Sequence, residues 1–263
     1  MEQSIEIMVQ RITDILKENE PSIVLFGSVV LDDFKLGWSD IDFICLTKKA
    51  INNEQANELV NMRQTLLAEY QGNQYFRLFE GIMMTLEAFI NNADDTVVYW
   101  GTSGQRLENN GRLCRFGEIE LLESGKLLFG NDFRHLISYP TRAEVLEAIK
   151  QTYEDIRTYC TEYPCMDWLL DIARCLYTLK TNKVIAKTKA GEWAIDENKC
   201  PDVSVMKKIL EIRKNPLKFR DKKEPGTWNN EIQEWQKTFV PYIQRFADVL
   251  EAELRTGCDF YLL

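Results

Sequence analysis

The sequence predicts a small mixed β-sheet with helices in the N-terminal half of the chain and a bundle of α-helices in the C-terminal half. Two observations carry this prediction. Apolar residues alternate between helical and strand spacing from residue 4 to residue 89, whereas beyond Pro140 they follow helical spacing almost throughout. For a chain of 263 residues we therefore expect two domains, over 1–135 and 136–263.

The N-terminal half contains five predicted elements. In chain order these are a helix over 4–18, strands over 22–26 and 41–46, a helix over 53–70, and a strand over 75–84 that can extend to Phe89. The helices have apolar residues three and four positions apart, whereas the strands are short apolar runs next to turn residues such as Gly27 and Ser28. Residues 91–140 show no pattern that assigns them. The order α-β-β-α-β is typical of a small sheet packed against helices.

The C-terminal half is predicted to form four helices, over 142–160, 166–181, 203–214 and 228–255. Each range has apolar side chains at helical spacing. Glycine and proline, which end helices, are concentrated in the connections, at Pro216 and at Pro225-Gly226. This half should therefore form a helical domain.

Composition excludes several classes of protein. With 45% hydrophobic and 28% charged residues, the chain has the balance of a folded globular protein. No apolar run approaches the roughly 20 residues that a membrane-spanning helix needs, and the acidic N-terminal stretch differs from a secretory signal, so we expect a cytoplasmic protein. One histidine, His135, and seven cysteines without a CxxC pair exclude a zinc ribbon and most histidine-dependent chemistry.

The charge distribution indicates what kind of partner the protein binds. Its net charge is −9, and residues 1–140 hold 12 Lys and Arg against 21 Asp and Glu. An acidic surface repels nucleic acid and membrane phosphates and attracts cations. Residues 199–223 are basic but lack the aromatic alternation of an RNA-binding segment, so they are interpreted as a solvated face. We expect no nucleic-acid and no membrane partner.

The residues that carry chemistry lie between the first two predicted strands and at the start of the second. Asp40 and Asp42, two positions apart, project to the same face of a strand and can share a divalent cation. Mg²⁺ prefers a few carboxylates together with phosphate oxygens and water. Gly27 and Ser28 end the preceding strand, where glycine lets the backbone approach a phosphate and serine can donate to it.

This arrangement resembles that of the polymerase-β-like nucleotidyltransferases: a strand, Gly-Ser, a loop of eleven residues, Asp-Ile-Asp and an apolar run. The resemblance implies a nucleotidyltransferase fold for the N-terminal domain and a third carboxylate on a later strand. Glu80 and Glu87 are the two candidates. Glu80 is preferred because it lies among apolar neighbours, where an unpaired carboxylate would be costly without a metal or donor.

Residues 169–195 resemble the helical C-terminal domain of the aminoglycoside (3″)(9) adenylyltransferases, which inactivate streptomycin and spectinomycin. That family has a helix with an arginine and an aromatic residue, a turn, then a lysine and an acid-Trp-Ala sequence. The resemblance implies roles for seven side chains: Asp40, Asp42 and Glu80 as catalytic and metal-binding carboxylates, Lys187 on the nucleotide phosphates, Asp167 near the nucleotide, and Trp168 and Asp171 near the drug. Asp167 replaces an asparagine of that family, which leaves the identity of the drug open.

The function that this resemblance implies is Mg²⁺-dependent transfer of AMP from ATP to a hydroxyl of a polycationic aminoglycoside or aminocyclitol, with release of pyrophosphate. We also expect the protein to be a monomer. An acidic protein suits such a substrate because the drug is a polycation. Two alternatives stay open at this point. One is adenylylation of a protein by the nucleotidyltransferase of a toxin–antitoxin pair, and the other is a non-catalytic nucleotide-binding protein.

Overall fold

The computed structural model describes residues 1–101, 104–224 and 226–259. Pro225, in one predicted connection, and residues 260–263 of the predicted second domain lie outside the described residues. The chain divides into two compact units that are not continuous in sequence. The first comprises Met1–Asp32 and Asp40–Tyr139, and the second comprises Asp33–Ser39 and the chain from Pro140 onward.

The first unit is built on one mixed sheet of six strands. The strands are β1 (Pro21–Phe26), β2 (Ile41–Thr47), β3 (Phe79–Thr85), β4 (Val97–Gly101), β5 (Gly104–Glu108) and β6 (Lys126–Phe129). The helices are α1 (Glu2–Ile15), α2 (Asn53–Glu69), α3 (Leu86–Asn91) and α4 (Arg115–Ser124). The strand order is β5-β4-β3-β2-β1-β6, in which β2 and β3 pair in parallel and all other neighbours are antiparallel. The predicted combination of a mixed sheet with helices is confirmed.

The three central strands are β1, β2 and β3, and they are the strands that the sequence marks as apolar runs. Every residue of β1 is buried, and β2 and β3 are buried except at one or two positions. One half-buried position of each falls near its first residue, at Asp42 and Glu80. The apolar residues of these strands therefore form the core, and the polar residues Asp42 and Glu80 lie together at one end of the sheet.

Three details of the first unit differ from the predictions, and the stretch that no pattern assigned contains defined elements. α1 ends at Ile15, and a short 3-10 helix follows it. The third strand begins at Phe79 because Phe76–Leu78 form another 3-10 turn. It does not reach Phe89, since the Thr85 side chain accepts a hydrogen bond from the Ala88 backbone and begins α3. The unassigned stretch 91–140 holds β4, β5, α4 and β6.

The second unit is predominantly helical, as predicted. Its helices are α5 (Arg142–Tyr159), α6 (Met166–Thr181), α7 (Lys187–Asp196), α8 (Val203–Lys214), α9 (Asn230–Gln236) and α10 (Val240–Asp259). α6 packs against both α7 and α10. α7 was not predicted, and the single helix predicted over 228–255 is two helices, with Pro241 in the first turn of the second. None of the helices in the described part of the chain has the length and apolar content to cross a membrane.

Candidate active site

The Gly27-Ser28 turn follows β1 directly and is shaped around a carboxylate. Gly27 has a positive φ of 71°, which favours glycine, and begins a short 3-10 helix. A Cβ atom at this position would collide with the side chain of Asp42, so the missing side chain makes room for that carboxylate. The Ser28 hydroxyl donates to the backbone carbonyl of Asp40 at 3.3 Å. Backbone and hydroxyl groups of the turn therefore lie beside both acids of the Asp-Ile-Asp motif.

Strand register places Asp42 between the turn and Glu80. Asp42 is the Cα partner of Phe26, the residue before Gly27, in the antiparallel β1–β2 pair. It is also the partner of Glu80 in the parallel β2–β3 pair. Registered residues on neighbouring strands project to the same face, so Asp42 and Glu80 share one face of the sheet. Asp40, directly before β2, is half-buried like these two residues.

Glu80 lies in an environment that holds its carboxyl group in place. The Tyr99 hydroxyl donates to Glu80 Oε1 at 3.4 Å. Burial raises the pKa of Glu80 above its usual value, and the Tyr99 hydrogen bond and the positive charge of Arg63 oppose the rise. Glu87, the other candidate, is exposed in the first turn of α3. Of the two, only Glu80 is in register with Asp42.

Arg63, on α2, is a site residue that the sequence analysis missed. The residue is 7% exposed, and its guanidinium group donates to the backbone carbonyls of Phe79 and Gly101, at 3.0 Å each. Burial lowers the pKa of Arg63, while the negative charges of Glu80 and Asp40 raise it. An arginine side chain stays protonated in proteins even when it is buried, so the site contains a fixed positive charge. No motif marks this residue, since its neighbours in the sequence are those of an ordinary helix.

The carboxylates of the first unit fit a magnesium ion that is bound together with a phosphorylated substrate. Within the described residues, no group of three or more histidine, cysteine or carboxylate side chains is placed to hold a metal ion by itself. Mg²⁺ is commonly held by one or two carboxylates plus substrate phosphates and water. Asp40 and Asp42, beside the Gly27-Ser28 turn, supply such a partial donor set of oxygen ligands.

In the second unit, the structure brings together three of the predicted residues. Lys187, at the first position of α7, contacts Asp167 Oδ1 at 3.1 Å and Asp171 Oδ1 at 3.0 Å, both on α6. Burial lowers the pKa of Lys187, but Asp171 and Asp167 outweigh it and raise the pKa above its usual range. Asp171 also lies 3.9 Å from Arg174. The Lys187 ammonium group is therefore held in place by two carboxylates of α6.

Two tryptophans of the second unit, Trp168 and Trp38, differ in their relation to the Lys187 cluster. Trp168, which the resemblance places near the drug, donates its indole N–H to the Tyr163 carbonyl at 2.8 Å and is not part of the Lys187 cluster. Trp38, which was not singled out, donates its indole N–H to Asp167 Oδ1 at 3.1 Å. Burial raises the pKa of Asp167, yet Lys187 and Trp38 bring it below the usual value. Trp38 and Asp167 are 129 residues apart in the chain, so no local sequence pattern indicates their contact.

Comparisons with known proteins agree with this arrangement. The model of the nucleotidyltransferase domain matches residues 9–73, and that of the aminoglycoside adenylyltransferase C-terminal domain matches residues 136–238. No curated protein sequence gives a significant match.

A solved structure similar to this chain is that of spectinomycin adenyltransferase AAD(9) from Enterococcus faecialis with ATP and spectinomycin, with a TM-score of 0.68 at 17% identity. The match covers 95% of this chain and 99% of that one, which shows a shared fold. The two domain matches confirm the resemblance found in the sequence. The nucleotidyltransferase domain comes first in the chain and the adenylyltransferase C-terminal domain second, as the resemblance predicts. The chain is therefore a nucleotidyltransferase of the aminoglycoside adenylyltransferase type.

Proposed function

We propose that the protein transfers AMP from ATP to a hydroxyl of an aminoglycoside or aminocyclitol of the streptomycin and spectinomycin type. The observation that carries the proposal is the register of Asp42, which lies between the Gly27-Ser28 turn and Glu80. A phosphate-binding turn, a metal-binding acid and a candidate base are thus consecutive across the sheet. A domain over 1–135 carries out the transfer, and the helical domain over 136–263 contributes to binding of nucleotide and drug.

Each part of the triphosphate has a proposed partner in this chain. Gly27 and Ser28 receive phosphate oxygens through backbone N–H and hydroxyl donors. Asp40 and Asp42 would hold Mg²⁺, which when bound supplies positive charge against the phosphate oxygens. Lys187 adds a charge-assisted hydrogen bond to the phosphates, and Asp167 keeps its ammonium group oriented.

The chemical step requires one proton acceptor and in-line geometry. Glu80 accepts the proton of the substrate hydroxyl as its oxygen attacks the α-phosphorus. A new phosphorus–oxygen bond forms to the drug, the bond from the α-phosphorus to the bridging oxygen breaks, and pyrophosphate leaves. Burial raises the pKa of Glu80 and so makes it a stronger base than an exposed glutamate, which favours this role.

The proposed substrate is a polycation, and the charge of the protein suits it. The net charge is −9, so positively charged drugs are attracted over distances comparable with the Debye length. Trp168 and Asp171 are proposed to contact the drug through an aromatic face and a carboxylate. The similar structure from Enterococcus faecialis contains ATP and spectinomycin, which supports the same pair of ligands here. We expect a monomer acting in the cytoplasm.

The decisive experiment incubates the protein with a panel of aminoglycosides and aminocyclitols, each nucleoside triphosphate and Mg²⁺, and reads the drug masses by mass spectrometry. The expected result is addition of one AMP to at least one drug, together with release of pyrophosphate. If no drug gains mass, the proposal is wrong. Mass gain on a protein instead would identify protein adenylylation as the activity.

Variants of the acids test their roles in the same assay. We predict that Asp40→Asn and Asp42→Asn each lower turnover at least about a hundredfold, because a carboxylate facing the metal is lost while the shape of the side chain is kept. The melting temperature should change little. Asp94→Asn, the same change at an exposed position of this unit, serves as the control and should keep full activity. Near-normal turnover in either test variant would remove that residue from the metal site.

A further inference from the structure

The segment Asp33–Ser39 is held in the second unit by a buried ion pair. In the sequence it lies between Ser28 and Asp40, yet it packs with the helical part of the chain. Asp33 Oδ2 accepts from Arg213 Nη2 at 2.9 Å, and the side chains of this pair are 7% and 3% exposed. The same carboxylate accepts from the backbone N–H and the hydroxyl of Thr188. Asp33 is therefore hydrogen-bonded to Thr188, the residue that follows Lys187.

The other end of the segment contacts the partner of Lys187. Trp38 Nε1 donates to Asp167 Oδ1, the same oxygen that accepts from Lys187 Nζ. The Trp38 ring is itself held in place, with the Arg213 guanidinium 5.2 Å from its centroid and the Trp228 ring edge-on at 5.3 Å. One short segment thus touches the surroundings of Lys187 twice, once on α7 and once on α6.

We propose that Trp38 is a positioning residue for the nucleotide, acting on Lys187 through Asp167. This inference rests on the proposed role of Lys187 in binding the triphosphate. An ammonium group has three N–H donors, and contacts to Asp167 and Asp171 leave one for a phosphate. The Trp38 N–H orients the Asp167 carboxylate and takes up part of its negative charge. Without that donor, Asp167 competes more strongly for Lys187 and repels the triphosphate.

A double-mutant cycle on the full chain tests whether Trp38 acts on nucleotide binding through Asp167 and Lys187. Binding of a non-hydrolysable ATP analogue with Mg²⁺ is measured by calorimetry for the parent protein, Trp38→Phe, Lys187→Ala and the double variant. We expect Lys187→Ala to weaken binding at least tenfold and Trp38→Phe to weaken it three- to tenfold, the range for one lost hydrogen bond. In the Lys187→Ala background, Trp38→Phe should change affinity less than twofold.

The outcomes separate the two hypotheses. Unchanged affinity in Lys187→Ala would contradict the proposed role of the lysine, and with it this inference. A loss in Lys187→Ala combined with no loss in Trp38→Phe, or with fully additive losses, would contradict the inference alone. In steady-state assays, Trp38→Phe should raise KM for ATP while KM for the drug stays constant, a split that general damage to the fold would not produce.

Two further variants keep the test decisive. Trp235→Phe makes the same substitution in the same unit, where the ring packs on Phe239, and should leave ATP binding unchanged. If Trp38→Phe fails to fold, benzothienylalanine at position 38 retains the bicyclic ring but replaces the N–H by sulfur. It should weaken binding of the ATP analogue to the same extent, and unchanged binding would overturn the inference.

Discussion

At Gly27, backbone conformation and crowding act on the same residue. The positive φ of 71° disfavours any residue with a Cβ, and the space that a Cβ would fill is occupied by the Asp42 carboxylate. We predict that Gly27→Ala loses about 3 kcal/mol or more of unfolding free energy, from strain plus overpacking. It should also displace Asp42 and abolish turnover. Urea denaturation and the AMP-transfer assay measure the two effects.

Gly72 provides the matched control for this change. It also has a positive φ, 86°, but nothing lies within 4 Å of the position of its Cβ. Gly72→Ala should therefore cost only the conformational strain, about 1–2 kcal/mol, and leave activity intact. Equal losses of stability in the two variants would show that the Asp42 contact contributes nothing.

Asp33 contributes a buried ion pair whose strength depends on pH. Burial raises the pKa of Asp33, but Arg213 and Thr188 outweigh it and hold the pKa below the usual 3.8. The unfolded chain therefore binds this proton more tightly than the folded chain. The stability that Asp33 contributes is complete above the unfolded pKa and is lost as the pH falls through the folded pKa.

We predict that Asp33→Asn costs about 3–5 kcal/mol at pH 7, because Arg213 is left buried without a counter-charge. The difference between the variant and the parent should shrink as the pH falls below the unfolded pKa. The control is Asp202→Asn, which breaks the exposed ion pair with Arg245 and should cost less than about 1 kcal/mol. Chemical denaturation at several pH values measures both, and a pH-independent loss in Asp33→Asn would contradict the assignment.

Two glycines in helices should respond differently to the same substitution, because their neighbours lie at different distances. In α4, a Cβ at Gly117 would meet its nearest atom at 3.5 Å, an ordinary contact. In α7, a Cβ at Gly191 would lie 3.1–3.2 Å from side chains of Leu210, Leu170 and Met206. Gly191 thereby sets how closely α7 approaches α6 and α8.

We predict that Gly117→Ala stabilises the protein by about 0.5–1 kcal/mol, the gain in helix propensity. Gly191→Ala should be neutral or destabilising, because overpacking by about 1–3 kcal/mol offsets the same gain. Thermal denaturation of the two variants decides the matter. A stabilised Gly191→Ala protein would show that the three neighbouring side chains yield easily.

How well the sequence predicts an element depends on the burial of that element. β1 and β2 are apolar runs buried along nearly their whole length, and both were located to within a residue. β5 has no fully buried residue and β6 is a four-residue strand at the sheet edge, so neither shows a strand pattern. α7 was missed because its few apolar residues give only a weak periodic signal.

The candidate site divides in the same way. Gly27, Ser28, Asp40 and Asp42 form a local motif, so the sequence alone is enough to predict that they lie close together. Arg63 and the Trp38–Asp167 contact depend on which elements pack together, and pairing over long separations has no local signature. The third carboxylate could be predicted only in part. The sequence narrows it to Glu80 or Glu87, and the parallel register of β2 and β3 then distinguishes Glu80 from Glu87.

At the scale of the whole molecule, the net charge of −9 has a measurable consequence for the proposed drug. We predict that affinity for a polycationic aminoglycoside falls several-fold between about 50 mM and 500 mM salt, because exposed charges are screened over about 8 Å at 0.15 M and less at higher salt. A derivative with acetylated amines should show little salt dependence. Calorimetry in both conditions measures this, and a salt-independent affinity of the parent drug would contradict attraction by charge.

The discontinuity of the two units limits how this protein can be divided and recombined. The sequence predicts a boundary between residues 135 and 136, yet a C-terminal piece cut there would lack Asp33, the carboxylate that neutralises buried Arg213. The helical unit is therefore not a cassette that can be exchanged as one stretch of chain. A chimaera that joins this helical unit to another nucleotidyltransferase domain must transplant residues 33–39 with it.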